Sequence, residues 1–230
     1  YAILKGNLDN SNYDITYTGD NFRITKKSIT VAANANQSKV YGSLDPAFTY
    51  TATGLVGTDT LTGALTRVPG DTVGTYAILQ GSLSNASYDI TYVGDNFSIT
   101  KKALIITVTP GQYKEYGTPD PIFTYSAVGL INNDTITGAL DRIPGDTVGS
   151  YPVIQGTLSA GDNYTIIFNS NNFMVTKQAL KIVVEAGQSK VYGAPDPELN
   201  YTFTGLLPGV TITGSLGRIL GDTVGSYFIT

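Results

Sequence analysis

Along "ALIITVT" (residues 103–109) apolar and polar positions alternate, with Leu104, Ile106 and Val108 on one face. Ile29, Val31 and Ala33 repeat the pattern, as do Leu180, Ile182 and Val184. A period of two predicts strands buried on one face. "GQYKEYGTPDP" follows and reads as an irregular turn, being dense in Gly, Pro and Asp. "IFTYSAVGL" predicts a strand with Phe123 and Tyr125 inward, matched by Phe48 and Tyr50 and by Leu199 and Tyr201. "NND" at 132–134 reads as a short turn or a single helical turn. "TITGAL" places Ile136 and Leu140 on one face, with Gly138 between them marking a bulge or a close backbone approach.

In "RIPGDTVG", Pro-Gly predicts positive φ at the first Gly, and the second Gly eases re-entry into a strand. That strand, "SYPVIQGTL", holds Pro152, which predicts an edge or a bulge. "YTIIFNSNNFMVT" predicts a hairpin, with Tyr164, Ile166 and Phe168 before a polar turn and Phe173 and Val175 after it. No segment sustains a helical period. Each copy reads as about six short strands.

The pattern recurs. "GDTVG" stands at 70–74, 145–149 and 221–225, and the Tyr-Gly pairs at 41–42, 116–117 and 192–193 are 75 and then 76 residues apart. The extra residue lies between Leu158 and Tyr164 and predicts a surface loop. A fixed period sets the architecture, and about 75 residues suffice for a small domain with a marginal core. Cut in the Tyr-Gly frame, residues 28–102 and 103–178 are whole domains. Residues 1–27 read as the second half of a domain and 179–230 as the first half of another. Both ends fall inside strand-like runs, so the chain reads as a window on a longer array. The expectation is that 1–27 packs on the 179–230 region of a neighbouring copy, either in the same polypeptide or head to tail between chains. The copies are joined by "ITKKSIT", "ITKKALI" and "VTKQALK", which predict stiff junctions rather than tethers.

Composition narrows the chemistry. The chain lacks Cys, His and Trp, which removes disulfides, thiolate metal sites and the usual general base. A net charge of −4 with few basic residues gives no nucleic-acid footprint. No apolar run reaches membrane-spanning length. Abundant Gly and Thr with sparse charge suit an extracellular β-rich module.

The repeated "K-x-Y-G-x-x-D-P", then "F-T-Y", "G-L", "T-G-x-L-x-R" and "G-x-Y-x-I-x-x-G-x-L", resembles the MBG-type repeat. This is the variety named for its Tyr-Gly pair, found in large bacterial surface and adhesin-like proteins. The resemblance spans the whole chain and implies cell-surface or secreted multi-domain proteins without enzymatic activity or an established ligand site. The fold class expected is all-β: tandem small β-sandwich domains, immunoglobulin-like or β-grasp-like, arranged as a rod.

Several residues are candidates for chemistry. Asp45, Asp120 and Asp196 precede Pro in the Tyr-Gly loop, and Asp71, Asp146 and Asp222 lie in the GDT turns. Asp59 and Asp134 occupy a third loop, where the last copy has Val210. Loop carboxylates are the ligands calcium takes, although Asp-Pro and Gly-Asp are also ordinary turn chemistry. Calcium is the only cofactor these residues suggest, and turn chemistry is preferred. Lys39, Lys114 and Lys190 beside Tyr-Gly are candidates for an isopeptide crosslink, against an exposed or snorkelling role. Tyr13, Tyr88 and Tyr164 follow a polar turn and are expected to hold it through their hydroxyls, like a tyrosine corner. The other aromatics read as core rather than a carbohydrate platform. The function expected is a structural stalk or filament segment on a bacterial surface, with no catalysis. The partners expected are neighbouring copies of the repeat. The alternative is an adhesive module that binds glycan or a cell-surface partner through exposed loops.

Overall fold

In the computed structural model, residues 1–131 and 133–230 are described. Asn132, in the loop expected to form a short turn, lies outside them. All regular structure among the described residues is β. Two compact units are present. One comprises 1–104 with 129–134 and 160–165, the other 105–128, 135–159 and 166–230.

The first unit contains β1 (Lys27–Ala33), β2 (Ser38–Val40), β3 (Tyr50–Thr53), β4 (Thr66–Arg67), β5 (Gly74–Leu79), β6 (Tyr88–Val93) and β7 (Asn96–Thr100). They form two sheets, in the orders β3-β1-β6 and β2-β7-β5-β4. β1 runs antiparallel to β3 and parallel to β6, with Ile29 opposite Ile90. β7 runs antiparallel to β5 and parallel to β2. Each sheet therefore carries one parallel pair, unlike the two antiparallel sheets of an immunoglobulin domain. Alternation puts Ile29 and Val31 of the first sheet in the core, together with Ile78, Phe97 and Ile99 of the second. The Tyr92 hydroxyl donates to Ile78 O at 3.0 Å and ties the two sheets together.

The next copy repeats the pattern with β8 (Lys102–Val108), β9 (Tyr113–Glu115), β10 (Tyr125–Val128), β11 (Asp141–Arg142), β12 (Gly149–Ile154), β13 (Tyr164–Asn169) and β14 (Asn172–Thr176). Its sheets are β10-β8-β13 and β11-β12-β14-β9. Leu104, Ile106, Val108, Val153, Phe173 and Val175 are buried, as the alternation predicts. The last copy keeps only β15 (Lys181–Val184) and β16 (Tyr201–Thr204) as strands.

Three expectations are corrected. The segment predicted as a hairpin is not one. β13 pairs in the sheet of β8 while β14 pairs with β12 and β9, so the polar turn carries the chain between sheets. Both strands bury one face, and the alternation that suggested a hairpin is equally satisfied by two sheets over a shared core. Pro152 lies in an inner strand, where its carbonyl accepts from Ile143 N at 3.0 Å. "TITGAL" makes only an isolated bridge, Thr137 to Ser159. The close backbone approach expected at Gly138 is present, since a Cβ there would collide with Thr157 O.

Candidate functional site

Four sequence landmarks converge in every copy. In the second copy, Lys114 on β9 reaches Asp120 Oδ1 at 2.7 Å and Arg142 on β11 reaches Asp120 Oδ2 at 2.5 Å. Arg142 Nη1 donates to Gly145 O at 2.6 Å, and Asp146 lies 3.2 Å from Lys114 and 3.3 Å from Arg142. The first copy matches with Lys39, Arg67, Asp45 and Asp71, the last with Lys190, Arg218, Asp196 and Asp222. Arg142 stacks on the Tyr151 and Phe173 rings at 5.1 and 5.4 Å from their centroids, and Arg67 stacks likewise on Tyr76 and Phe97.

This arrangement explains why the GDTVG turn does not vary. Its first Gly faces a tyrosine: a Cβ at Gly70, Gly145 or Gly221 would overlap the ring of Tyr76, Tyr151 or Tyr227. Its Asp joins the ion cluster. Its Thr carbonyl accepts from the same tyrosine's hydroxyl, at 2.8 Å for Tyr76 and 2.7 Å for Tyr151. The predicted positive φ matters less, because φ at Gly145 is +158° and nearly extended. The second Gly opens a strand, with φ outside the positive range at Gly74 and Gly149.

Lys114 is neither exposed nor snorkelling, Lys39 is half-buried, and Lys190 in the last copy is exposed. Lys114 is 8 % exposed and Arg142 6 %. A cation so buried needs a counter-charge, and Asp120 supplies it. The Arg142 hydrogen bond holds the Asp120 carboxyl below its usual range, with Lys114 assisting. Asp45 is lowered likewise, chiefly by Arg67, and Asp196 falls to about 2 under Arg218 and Lys190. Asp120 in turn raises the Lys114 ammonium. Amide formation needs a neutral amine and a protonated acid, and this pair is held in the opposite state. A cation approaching Asp45 or Asp120 would have to displace an Arg and a Lys. Asp71, Asp146 and Asp222 are largely exposed beside the same two cations. Among the described residues no three acidic side chains cluster as a metal site would require.

The arginines were not singled out in the sequence. The available signal was the constant spacing of 22 residues from Asp45 to Arg67, Asp120 to Arg142 and Asp196 to Arg218.

A second recurring arrangement joins one copy to the next. Tyr164 OH donates to Asp134 Oδ2 at 2.6 Å and accepts from Ile131 N at 3.1 Å. Tyr88 OH does the same with Asp59 and Val56 N. These tyrosines thus fasten a loop about thirty residues upstream, not the polar turn they follow. Tyr41 of the preceding copy adds a hydroxyl bond to Asp134 at 3.0 Å, and its ring meets Tyr164 edge-on at 5.5 Å. Val73 N donates to Asn163 Oδ1 at 2.9 Å, so the loop with the extra residue makes a contact rather than only facing solvent. The Gly of the Tyr-Gly pair closes the junction. A Cβ at Gly42 (φ +81°) would meet Ile131 Cδ1, and one at Gly117 (φ +84°) would meet Leu207 Cδ1, so the neighbour's side chain would have to shift. Ile131 and Leu207 are equivalent positions, so the same contact is made twice. At the second junction Val210 replaces the acid, beside a cavity of about 220 Å³ lined by Tyr116, Leu180 and Leu207.

Two-sheet copies with repeated internal clusters and repeated contacts between copies define a class: a tandem array of small all-β repeat domains. Residues 29–98, 104–174 and 180–230 each match the MBG domain, YGX type, and the chain belongs to that family. It is a family of repeat domains and not a known enzyme family. No curated protein and no solved structure matches the chain. No helix among the described residues is long and apolar enough to cross a membrane.

Proposed function

We propose that the chain is a structural segment of an extracellular bacterial surface protein, in which tandem domains supply length and stiffness. The frame is 28–102 and 103–178 as whole domains, flanked by the halves 1–27 and 179–230, with the two sheets of each whole domain facing each other as a small sandwich. The observation that carries this reading is the repeated junction, Gly42 on Ile131 and Gly117 on Leu207. A flexible string would have no reason to place a glycine under a neighbour's aliphatic side chain twice. The loops also favour span over recognition, because the groups that recur from copy to copy are committed internally. The Asp-Pro carboxylates hold Lys and Arg, and the Asp59 and Asp134 loops hold tyrosine hydroxyls.

Small-angle X-ray scattering tests the span: an elongated particle is expected, and a compact one would refute the reading. A glycan array with the same chain tests the adhesive alternative, and selective saturable binding would reverse the ranking.

A further inference from the structure

A sheet edge carries unpaired backbone groups, and proteins blunt it with short strands or with charge. In the two whole copies the edge strands β2, β3, β4, β9, β10 and β11 have four residues or fewer. The edge strands β6 and β13 have six. β6 carries Asp89, whose carboxylate lies 3.7 Å from Lys26. β13, "YTIIFN", carries no charge: Thr165 stands where β6 has Asp89, and Ile167 where it has Thr91. Of these edges, β13 alone is both long and uncharged.

The backbone groups of β13 alternate between its two sides. Lys102 N donates to Asn163 O at 2.9 Å, so Asn163 and every second residue after it face β8. Ile166 and Phe168 therefore direct their N–H and C=O groups away from β8, to the side where the sheet has no further strand. Their side chains point inward but are only half-buried, whereas Leu104 and Ile106 on β8 are fully buried. The core is thus open along β13. On the outer face Val128 pairs with Ile105. Ile105 lies beside Ile167, as Thr30 does beside Thr91 in the first copy, and the bond from Asn169 to Thr107 at 3.2 Å fixes the same register. Val128, Ile105 and Ile167 are 65, 39 and 48 % exposed. They form an apolar row that runs out to the β13 edge, where the first copy has Thr53, Thr30 and Thr91.

We propose that β13 pairs antiparallel with β13 of a second copy of this chain across a two-fold axis, joining two β10-β8-β13 sheets into one of six strands. Tyr164 N is already bonded to Gly161 O within its own turn, so the outward residues to be satisfied are Ile166 and Phe168. The register that satisfies both sets Ile166 opposite the partner's Phe168, and Phe168 opposite the partner's Ile166, each pair exchanging two N–H···O bonds. Ile167 then falls on the axis and meets the partner's Ile167 as a non-hydrogen-bonded pair, the closer kind. The two apolar rows become one, and the half-buried Ile166 and Phe168 cover each other over the open core. A strand of another protein would satisfy the same backbone groups, but the chain's own strand also brings a row that continues Val128, Ile105 and Ile167. The edge is self-complementary, as a two-fold contact requires, because no charge on β13 is brought against its own copy. Pairing two edges buries less than ~1,200 Å², the class of weak interfaces, so the dimer belongs to high protein concentration.

Analytical ultracentrifugation of the whole chain at up to about 0.5 mM, a range in which weak interfaces associate, tests this. A reversible monomer–dimer equilibrium is expected. Ile167→Lys and Ile167→Glu each place a charge opposite its own copy, so each alone should dimerise about tenfold more weakly or worse. Ile167 is exposed and its counterpart Thr91 is polar, so both variants keep the fold. An equal mixture of the two should recover the dimer, because Lys then faces Glu, and a contact in which residue 167 does not meet itself would show no such recovery. The proposal is overturned if the unsubstituted chain stays monomeric at that concentration, its edge then being vacant or kept for a strand of another protein. It is also overturned if association runs past the dimer, if either variant dimerises as readily as the unsubstituted chain, or if the mixture dimerises no better than its components.

Discussion

Replacing Asp120 by Asn keeps the side-chain shape and removes one charge. Lys114 and Arg142, both buried, then face no carboxylate except the exposed Asp146, at 3.2 and 3.3 Å. Removing one partner of a buried ion pair costs about 3–5 kcal/mol. Asp120 is itself about one-third exposed and Asp146 retains part of the attraction, so a loss of about 2–3 kcal/mol is expected. In a unit of about 75 residues each kcal/mol moves Tm by roughly 4–8 °C, which gives a fall of about 10–20 °C. Tandem domains need not unfold as one, so calorimetry should be paired with hydrogen exchange at the β12 and β14 amides. A triple variant, Lys114→Met with Asp120→Leu and Arg142→Met, should recover most of the loss, because no buried charge remains unpaired. If Asp120→Asn folds normally and costs less than about 0.5 kcal/mol, the cluster does not hold the domain together.

Other outcomes follow from the same geometry. Gly117→Ala should destabilise more than Gly193→Ala in thermal melts, because both sit at φ +84° but only Gly117 faces a neighbour, Leu207; the left-handed conformation alone costs about 1–2 kcal/mol at each. The folded-state pKa values of Asp45 and Asp120 are depressed, so their stabilisation is complete above the unfolded value of about 3.9 and is lost as pH falls through the lower folded values. Melting points should therefore drop in acid, and Asp120→Asn should flatten that dependence. Excess chelator should leave the melting point unchanged, since the Asp-Pro carboxylates already hold Lys and Arg; a marked fall would assign them to calcium.

The strands with a buried apolar face were legible, as Leu104, Ile106 and Val108 show, whereas β9 and its counterpart β2 were not, because that segment was read as an irregular turn. Strand pairing was not, because period two fixes which side chains point inward and says nothing of the partner. The hairpin expected at 164–175 failed for that reason. The ion cluster was hidden for a different reason. Lysine is exposed by default, and only the three-dimensional meeting of Lys114, Asp120 and Arg142 makes burial tolerable. The Tyr-Gly pair was read as a turn, which its positive φ bears out. That Gly42 and Gly117 also lie beneath a side chain of the following copy depends on a contact about ninety residues away, which no local pattern encodes.

The central claim is that one junction contact is built repeatedly from the same two positions. A methyl-resolved NOE experiment on Ile- and Leu-labelled protein tests it most directly. Cross-peaks are expected from the Gly42 Hα protons to the Ile131 δ1 methyl and from the Gly117 Hα protons to the Leu207 methyls. If neither pair is seen while the cores of both copies give their own cross-peaks, the copies fold without docking and the account of a stiff tandem segment is wrong.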